Sequence, residues 1–221
     1  MTRNVGDITA VITCHDSGPL LVRALESVAS QGSINIVLVD DGSTHCSCFE
    51  LAPRYEQLVH VVKDNGGHPT ALNYGLDHVR TDVVAFLDDD DEWLPGKTER
   101  QLELLNSTKA DVVIGGVWNV RDCAGAGEER AYFPSARMLG SSMFTMSGLH
   151  RVGPFSQETR HHSIVDWWSR ADEICLEAVH DDEPALLRRI HGQNSGIVHR
   201  DVARHDLLHH LRNHVTRRKS P

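Results

Sequence analysis

Short, nearly continuous apolar runs alternate with amphipathic stretches through the first half of the chain. Residues 8–13, 34–39, 58–62, 83–87 and 112–117 are dense in Val, Ile and Leu, the composition of strands covered on both faces. Between the first two, Leu21, Leu25 and Val28 recur at helical spacing behind Ser17, read as an N-cap, and Pro19, until Gln31 and Gly32 stop the run. Residues 69–79 and 95–105 read as further helices. This succession predicts an α/β fold with a Rossmann-like, mostly parallel sheet flanked by helices. Ligands of such a sheet gather at the carboxyl ends of its strands. After about Arg121 the regularity fades: residues 122–130 read as a Gly-, Ala- and charge-rich loop, and a segment rich in Met, Trp and His follows. A final helix is expected over 201–219, with Leu207, Leu208 and Leu211 on one face.

The 221 residues suffice for one domain with a large core. Its two halves are expected to divide the work, residues 1–120 holding a nucleotide-type ligand and 121–221 completing the acceptor side. A formal net charge of -9, with no Lys/Arg run before the last few residues, speaks against a nucleic-acid partner held by phosphate contacts. A polyanionic ligand would therefore need a cation to help it bind. No apolar stretch approaches the roughly 20 residues of a spanning helix, and the start of the chain has no apolar leader, so the expected location is cytoplasmic. The basic stretch HHLRNHVTRRK near the end could touch a membrane surface, or be an ordinary helix terminus. Five cysteines, scattered and odd in number, read as reduced thiols.

The densest chemistry is FLDDDDEWLP, where an apolar strand runs into Asp88, Asp89, Asp90 and Asp91. If the segment stays extended, Asp88 and Asp90 converge while Asp89 and Asp91 point away. One divalent cation would offset their repulsion, and oxygen ligands suit Mg²⁺ or Mn²⁺, which keep positions for substrate phosphates. A solvated acidic turn is the plainer alternative. A second acidic pair, Asp40 and Asp41, ends another strand in LVDDGS, where a carboxylate can accept from a base or a ribose.

The succession ITCHDS, ALESVASQG, VLVDDGST, DNGGHPTALNYGL, VVAFLDDDDEWLPGK, VGPF and RRIHGQNS resembles family 2 glycosyltransferases of the GT-A fold over about residues 8–196. The resemblance implies a nucleoside-diphosphate sugar donor of the UDP, GDP or dTDP type, inversion at the anomeric carbon, and bound Mn²⁺ or Mg²⁺. It assigns the nucleotide-sugar site to Thr13, His15, Asp16, Asp40, Asp41, Asn65, Gly67, Asn73, Asp88 and Asp89. The metal falls to Asp90, Asp88 and a later histidine, His191. The chain departs from the family at His15, where an aromatic residue is usual, and at Leu72, where Arg often contacts the nucleotide. It departs again at Ser163 and Ile164, which stand where the family carries a Glu-Asp pair that includes the base.

Transfer to a hydroxyl needs a group to take its proton. Asp166 is the first candidate and His162 the second, with Asp166 as a helix cap the structural alternative. Of Trp167 and Trp168, one is expected in the core and the other as a floor for a sugar. Arg188 and Arg189 could neutralise a diphosphate. The acceptor is open between a saccharide, a lipid-linked group and a small molecule, and a homodimer is compatible with the sequence. Two other functions compete: a nucleotide-sugar-binding module without transfer, and a nucleotidyltransferase, for which no triphosphate loop is evident. A nicotinamide dehydrogenase is disfavoured because no GxGxxG follows the first strand.

Overall fold

The computed structural model describes residues 2–45, 48–123, 127–158, 163–192 and 194. Four strands, β1 (Ile8–Cys14), β2 (Asn35–Asp40), β3 (Leu58–Val62) and β4 (Val83–Asp88), run parallel in the spatial order β3-β2-β1-β4. The chain leaves β1 toward β2 on one side and returns on the other at β4, which makes the crevice beyond Thr13 and Cys14 the point where the strand order reverses. The register sets Cys14 opposite Asp40 and Thr13 opposite Asp88. Both acidic strand ends therefore flank the last residues of β1.

The sheet continues through β5 (Glu92–Trp93), β6 (Val112–Cys123), β7 (Gly127–Phe133), β8 (Ser142–Thr145) and β9 (Ala178–Ile190). β8 lies antiparallel between β4 and β6, and β9 runs parallel to β6 and antiparallel to β5. The β9–β5 pairing brings the residues after Ile190 back to the acidic loop between β4 and β5.

Helices α1 (Leu20–Ala29), α2 (Cys48–Leu51), α3 (His68–Asp77), α4 (Lys97–Ser107), α5 (Met146–Val152) and α6 (Ser163–Glu173) complete the fold. Alternation along β1 feeds two cores. Ile8, Ala10 and Ile12 meet Leu21 and Leu25 of α1, while Val11 joins Leu72, Phe86, Phe144 and Trp167. Each such fully buried large side chain stabilises the fold by roughly 1.5–3 kcal/mol relative to exposure, so the helices are held by packing more than by propensity.

Several expectations are corrected. Ser17 does not cap α1; Pro19 takes the N-cap position, and the Ser17 hydroxyl donates to the Asp89 carboxylate instead, a charged acceptor that competes well with backbone amides. Within 122–130 the described residues form a hairpin, because β6 runs on to Cys123 and β7 pairs with it from Gly127. Trp167 and Trp168 are both buried, edge to face with each other, Trp167 also edge to face with Phe144 and Trp168 tilted against it, so neither is a sugar floor. Cys48 is disulfide-bonded, against the expectation of reduced thiols, with its sulfur 3.4 Å from the buried Cys14 thiol. The expected helix over 201–219 lies outside the described residues. No helix among the described residues is long and apolar enough to cross a membrane.

Candidate active site

The loops beyond β1, β2 and β3 are lashed together by carboxylates. Asp40, buried at the end of β2, accepts from the Ser43 amide at 2.8 Å. Asp16 accepts from the amides of Thr44 at 2.8 Å and His45 at 2.9 Å, and these two backbone bonds hold its carboxyl below the usual range. Asp41 is buried and fully engaged: Lys63 Nζ donates at 2.5 Å, and the amides of Gly66 and Gly67 donate at 3.0 and 2.7 Å. Gly42 permits this closeness, since its backbone is left-handed with φ +72° and a Cβ there would lie 2.6 Å from the Asn65 amide nitrogen. At the mouth of the crevice, Asn65 Nδ2 sits 3.1–3.2 Å from the ring nitrogens of His15.

β4 ends at Asp88, and the next two residues form a turn closed by the Asp91 amide donating to the Asp88 carbonyl at 3.2 Å. That turn breaks the strand alternation, which corrects the expectation that Asp91 points away. Carboxylate oxygens of Asp88, Asp90 and Asp91 all lie within 4.8 Å of one another, and Asp89 turns aside to Ser17. Asp91 is buried and accepts from the Arg189 amide at 2.9 Å. Asp90 Oδ2 is met by His191 Nε2 at 3.0 Å and by Asn194 Nδ2 at 3.0 Å. His68, the first residue of α3, brings Nε2 to 3.2 Å from Asp88 Oδ1. Gly67 turns the chain into that helix with φ +89°, a conformation a side chain would strain.

Burial, then the charges of Asp88 and Asp90, raise the Asp91 carboxyl well above the usual carboxylate range. Burial and Asp88 raise Asp90. Burial pushes Asp89 up to about 7 against the Ser17 hydrogen bond, with Asp90 and Asp88 adding to the push. Against burial, His68 and then Arg188 hold the Asp88 carboxyl below the usual range, so the turn carries one favoured charge among acids pushed toward neutrality, a repulsion that a bound divalent ion would offset further. Arg188 acts on Asp91 electrostatically, while Arg189 is spent on Glu92 at 2.7 and 3.0 Å.

Other expected site residues are engaged by neighbouring parts of the chain. Asn73 holds the segment after α5, donating to the Phe155 carbonyl at 2.8 Å and accepting from its amide at 2.9 Å. Asp166 is buried in α6 and accepts from Arg170 Nε at 2.8 Å. Arg170 in turn donates to the carbonyls of Val152 and Pro154 at 2.6 and 2.7 Å. His162 lies outside the described residues. Sequence reasoning missed His68, Lys63 and Asn194. A histidine placed between Gly-Gly and Pro at a helix start was a usable signal for the first; the other two needed the loop geometry.

A mixed α/β sheet that collects acidic strand ends around the reversal beside β1 has the GT-A architecture of the nucleotide-diphospho-sugar transferases. TarS of S. aureus, residues 1–349 in complex with UDP-GlcNAc, matches it with a TM-score of 0.71 at 15% identity, over 87% of this chain and 60% of that one. The glycosyl transferase family 2 model matches residues 9–155, and the chain belongs to that family. An uncharacterized glycosyltransferase of Rickettsia felis is 25% identical over 209 residues, 84% of this chain and 34% of its own length. One from Nostoc sp. is 38% identical over 112 residues, 48% of this chain and 34% of its own. The chain thus spans about a third of the length of these curated relatives.

Proposed function

We propose that this chain transfers a sugar from a nucleoside-diphosphate sugar to an acceptor hydroxyl with inversion, using a divalent cation held by Asp88, Asp90 and Asp91 with His191 beside them. The observation that carries the reading is the convergence of three carboxylates within 4.8 Å at the end of β4, next to loops that Asp16, Asp40 and Asp41 pin in place. The donor set fits a hard or borderline cation: carboxylate oxygens with an imidazole alongside. Such an ion, when bound, neutralises charge on the leaving diphosphate. Of this chain's own groups, His15 would stack on the base and Asn65 would hydrogen bond it, a role supported by their meeting at 3.1–3.2 Å beside the acidic strand ends. Asp41 acts on the nucleotide indirectly, by fixing the 63–67 loop. Arg188 adds fixed positive charge beside the diphosphate position.

Asp166 is the proposed base, and to serve it must exchange Arg170 for an acceptor hydroxyl. Its ion pair supports the competing reading, a binding module in which Asp166 only braces α6. Calorimetry and nucleotide release with UDP-GlcNAc, the ligand seen in TarS, and with GDP- and dTDP-sugars, each with Mn²⁺, test both. Transfer is expected to disappear in Asp90→Ala and in Asp166→Asn while both variants stay folded. Release that persists in Asp90→Ala removes the metal assignment, and binding without turnover on any acceptor favours the module.

A further inference from the structure

A second group of metal-type ligands stands across β1 from the acidic turn, where β2 meets β3. A carboxylate oxygen of Asp40, the sulfur of Cys48 and a ring nitrogen of His60 all lie within 4.8 Å of one another. Each comes from a different element: Asp40 ends β2, Cys48 opens α2, and His60 is the middle residue of β3. Asp40 and Cys48 are buried. One Asp40 oxygen accepts from the Ser43 amide, which leaves the carboxylate lone pairs for a second partner. His60 Nε2 is shielded from solvent and has no hydrogen-bond partner among the described residues, and the Phe49 ring stands edge to face with the imidazole at 4.7 Å. A shielded ring nitrogen without a partner is costly and calls for an explanation. Burial holds the His60 ring below its usual value against the pull of Asp40, which favours the neutral form that binds metals.

Carboxylate, thiolate and imidazole together suit zinc and dications like it. Tetrahedral bonds of about 2.0–2.3 Å set ligand atoms about 3.3–3.6 Å apart, and atoms gathered within 4.8 Å are near that spacing. Cys48 is disulfide-bonded here, and sulfur in that form has no thiolate charge to give a cation. Cys14 Sγ, 3.4 Å from Cys48 Sγ, offers thiol–disulfide exchange as another use for the pair. Burial, then Asp89 and Asp40, hold the Cys14 thiol well above the usual range, so it stays protonated and attacks poorly.

We propose that Asp40, Cys48 and His60 form a second, redox-gated metal site for a thiophilic dication of the Zn²⁺ type, closed while Cys48 is in its disulfide and opened by reduction. With a phosphine as reductant, the S–S bond takes up two electrons and the two protons of a water molecule to give two thiols, and the phosphine leaves as its oxide with the water oxygen. The Cys48 thiol then loses its proton as the sulfur–metal bond forms. The bound ion would fasten α2 and β3 to the end of β2, beside Asp41 and the 63–67 loop that it holds.

The test uses the full chain carrying Asp90→Ala, which keeps the acidic turn out of the measurement. Reduced with a phosphine, it is titrated with Co²⁺ and followed by thiolate-to-cobalt absorption, beside the unreduced chain and the further variants Cys48→Ser, His60→Gln and Cys14→Ser, each with a melting curve. The reduced chain should develop the band at equimolar Co²⁺ and lose it to Zn²⁺, and the unreduced chain should show none. Cys48→Ser should abolish the band, His60→Gln should weaken binding about tenfold or more, and Cys14→Ser should leave it unchanged. Zinc-edge X-ray absorption of the reduced chain, which needs no variant at the site, should show a single sulfur together with imidazole. The proposal is overturned by a reduced chain without the band, by a band that survives Cys48→Ser, or by Co²⁺ held undiminished in His60→Gln. Two sulfurs at the zinc edge also overturn it, since Cys14 and Cys48 would then be the binding pair.

Discussion

Lys97 is fully buried, its ammonium donating to Gln101 Oε1 at 2.8 Å and the Ser142 carbonyl at 3.3 Å, and lying 4.7 Å from the centre of the Trp93 ring. Burial lowers its value to about 7, with Asp181 opposing and Arg100 assisting. The folded value lies below the ordinary 10.5, so between about 7 and 10.5 the unfolded chain binds more protons. Stability therefore rises with pH across that window. Lys97→Met should flatten this slope and be the more stable form near pH 7, because a buried charge is replaced by an apolar group of similar length. Urea midpoints for both proteins from about pH 7 to about pH 10 check it; an unchanged slope in the variant would place the titration elsewhere. The same residue-level physics sets how far the site could be read from sequence. Asp88 and Asp90 stood out because acids at the end of an apolar strand are conspicuous. Asp91 was misread because the extended geometry that alternation assumes stops at Asp88, and His68 was missed, despite its place between Gly-Gly and Pro, because Asp88, the acid it approaches, lies 20 residues away in sequence.

The elements were legible where one periodicity held from end to end. Strand β3 falls on residues 58–62 as expected, and β1, β2 and β4 differ from expectation by a residue or so at their ends. The hairpin of β6 and β7 was not legible, since β7 is exposed along almost its whole length and an exposed strand carries no alternation to read. Long-range clamps were equally hidden, and Asn73 is the clearest of them. Placed by resemblance among the nucleotide contacts, it is bonded both ways to the backbone of Phe155, a residue almost wholly buried. Asn73→Ala leaves one buried amide and one buried carbonyl without partners, and should cost roughly 2–4 kcal/mol with little change in the denaturant slope. Nucleotide affinity measured well below the new midpoint should stay near that of wild type. A loss of affinity without a loss of stability would instead make Asn73 a ligand contact.

At the scale of the whole molecule, the proposed function requires that cation and donor be drawn to one crevice by the same electrostatics. On that proposal the acidic turn would repel a diphosphate until a cation neutralised it, and the cation would keep positions that donor oxygens fill well. Coupling of this kind is reciprocal: each partner must tighten the other by the same factor. A ligand at a hundred times its Kd stabilises the folded chain by about 2.7 kcal/mol, or roughly 5–10 °C in melting temperature for a chain of this length. Mn²⁺ alone and a UDP-sugar alone should each fall short of that. Together they should exceed the sum of their separate shifts, and the excess should vanish in Asp90→Ala. Strictly additive shifts in the wild-type chain would mean that metal and nucleotide bind at separate places, because two ligands sharing oxygens of one coordination shell cannot be thermodynamically independent.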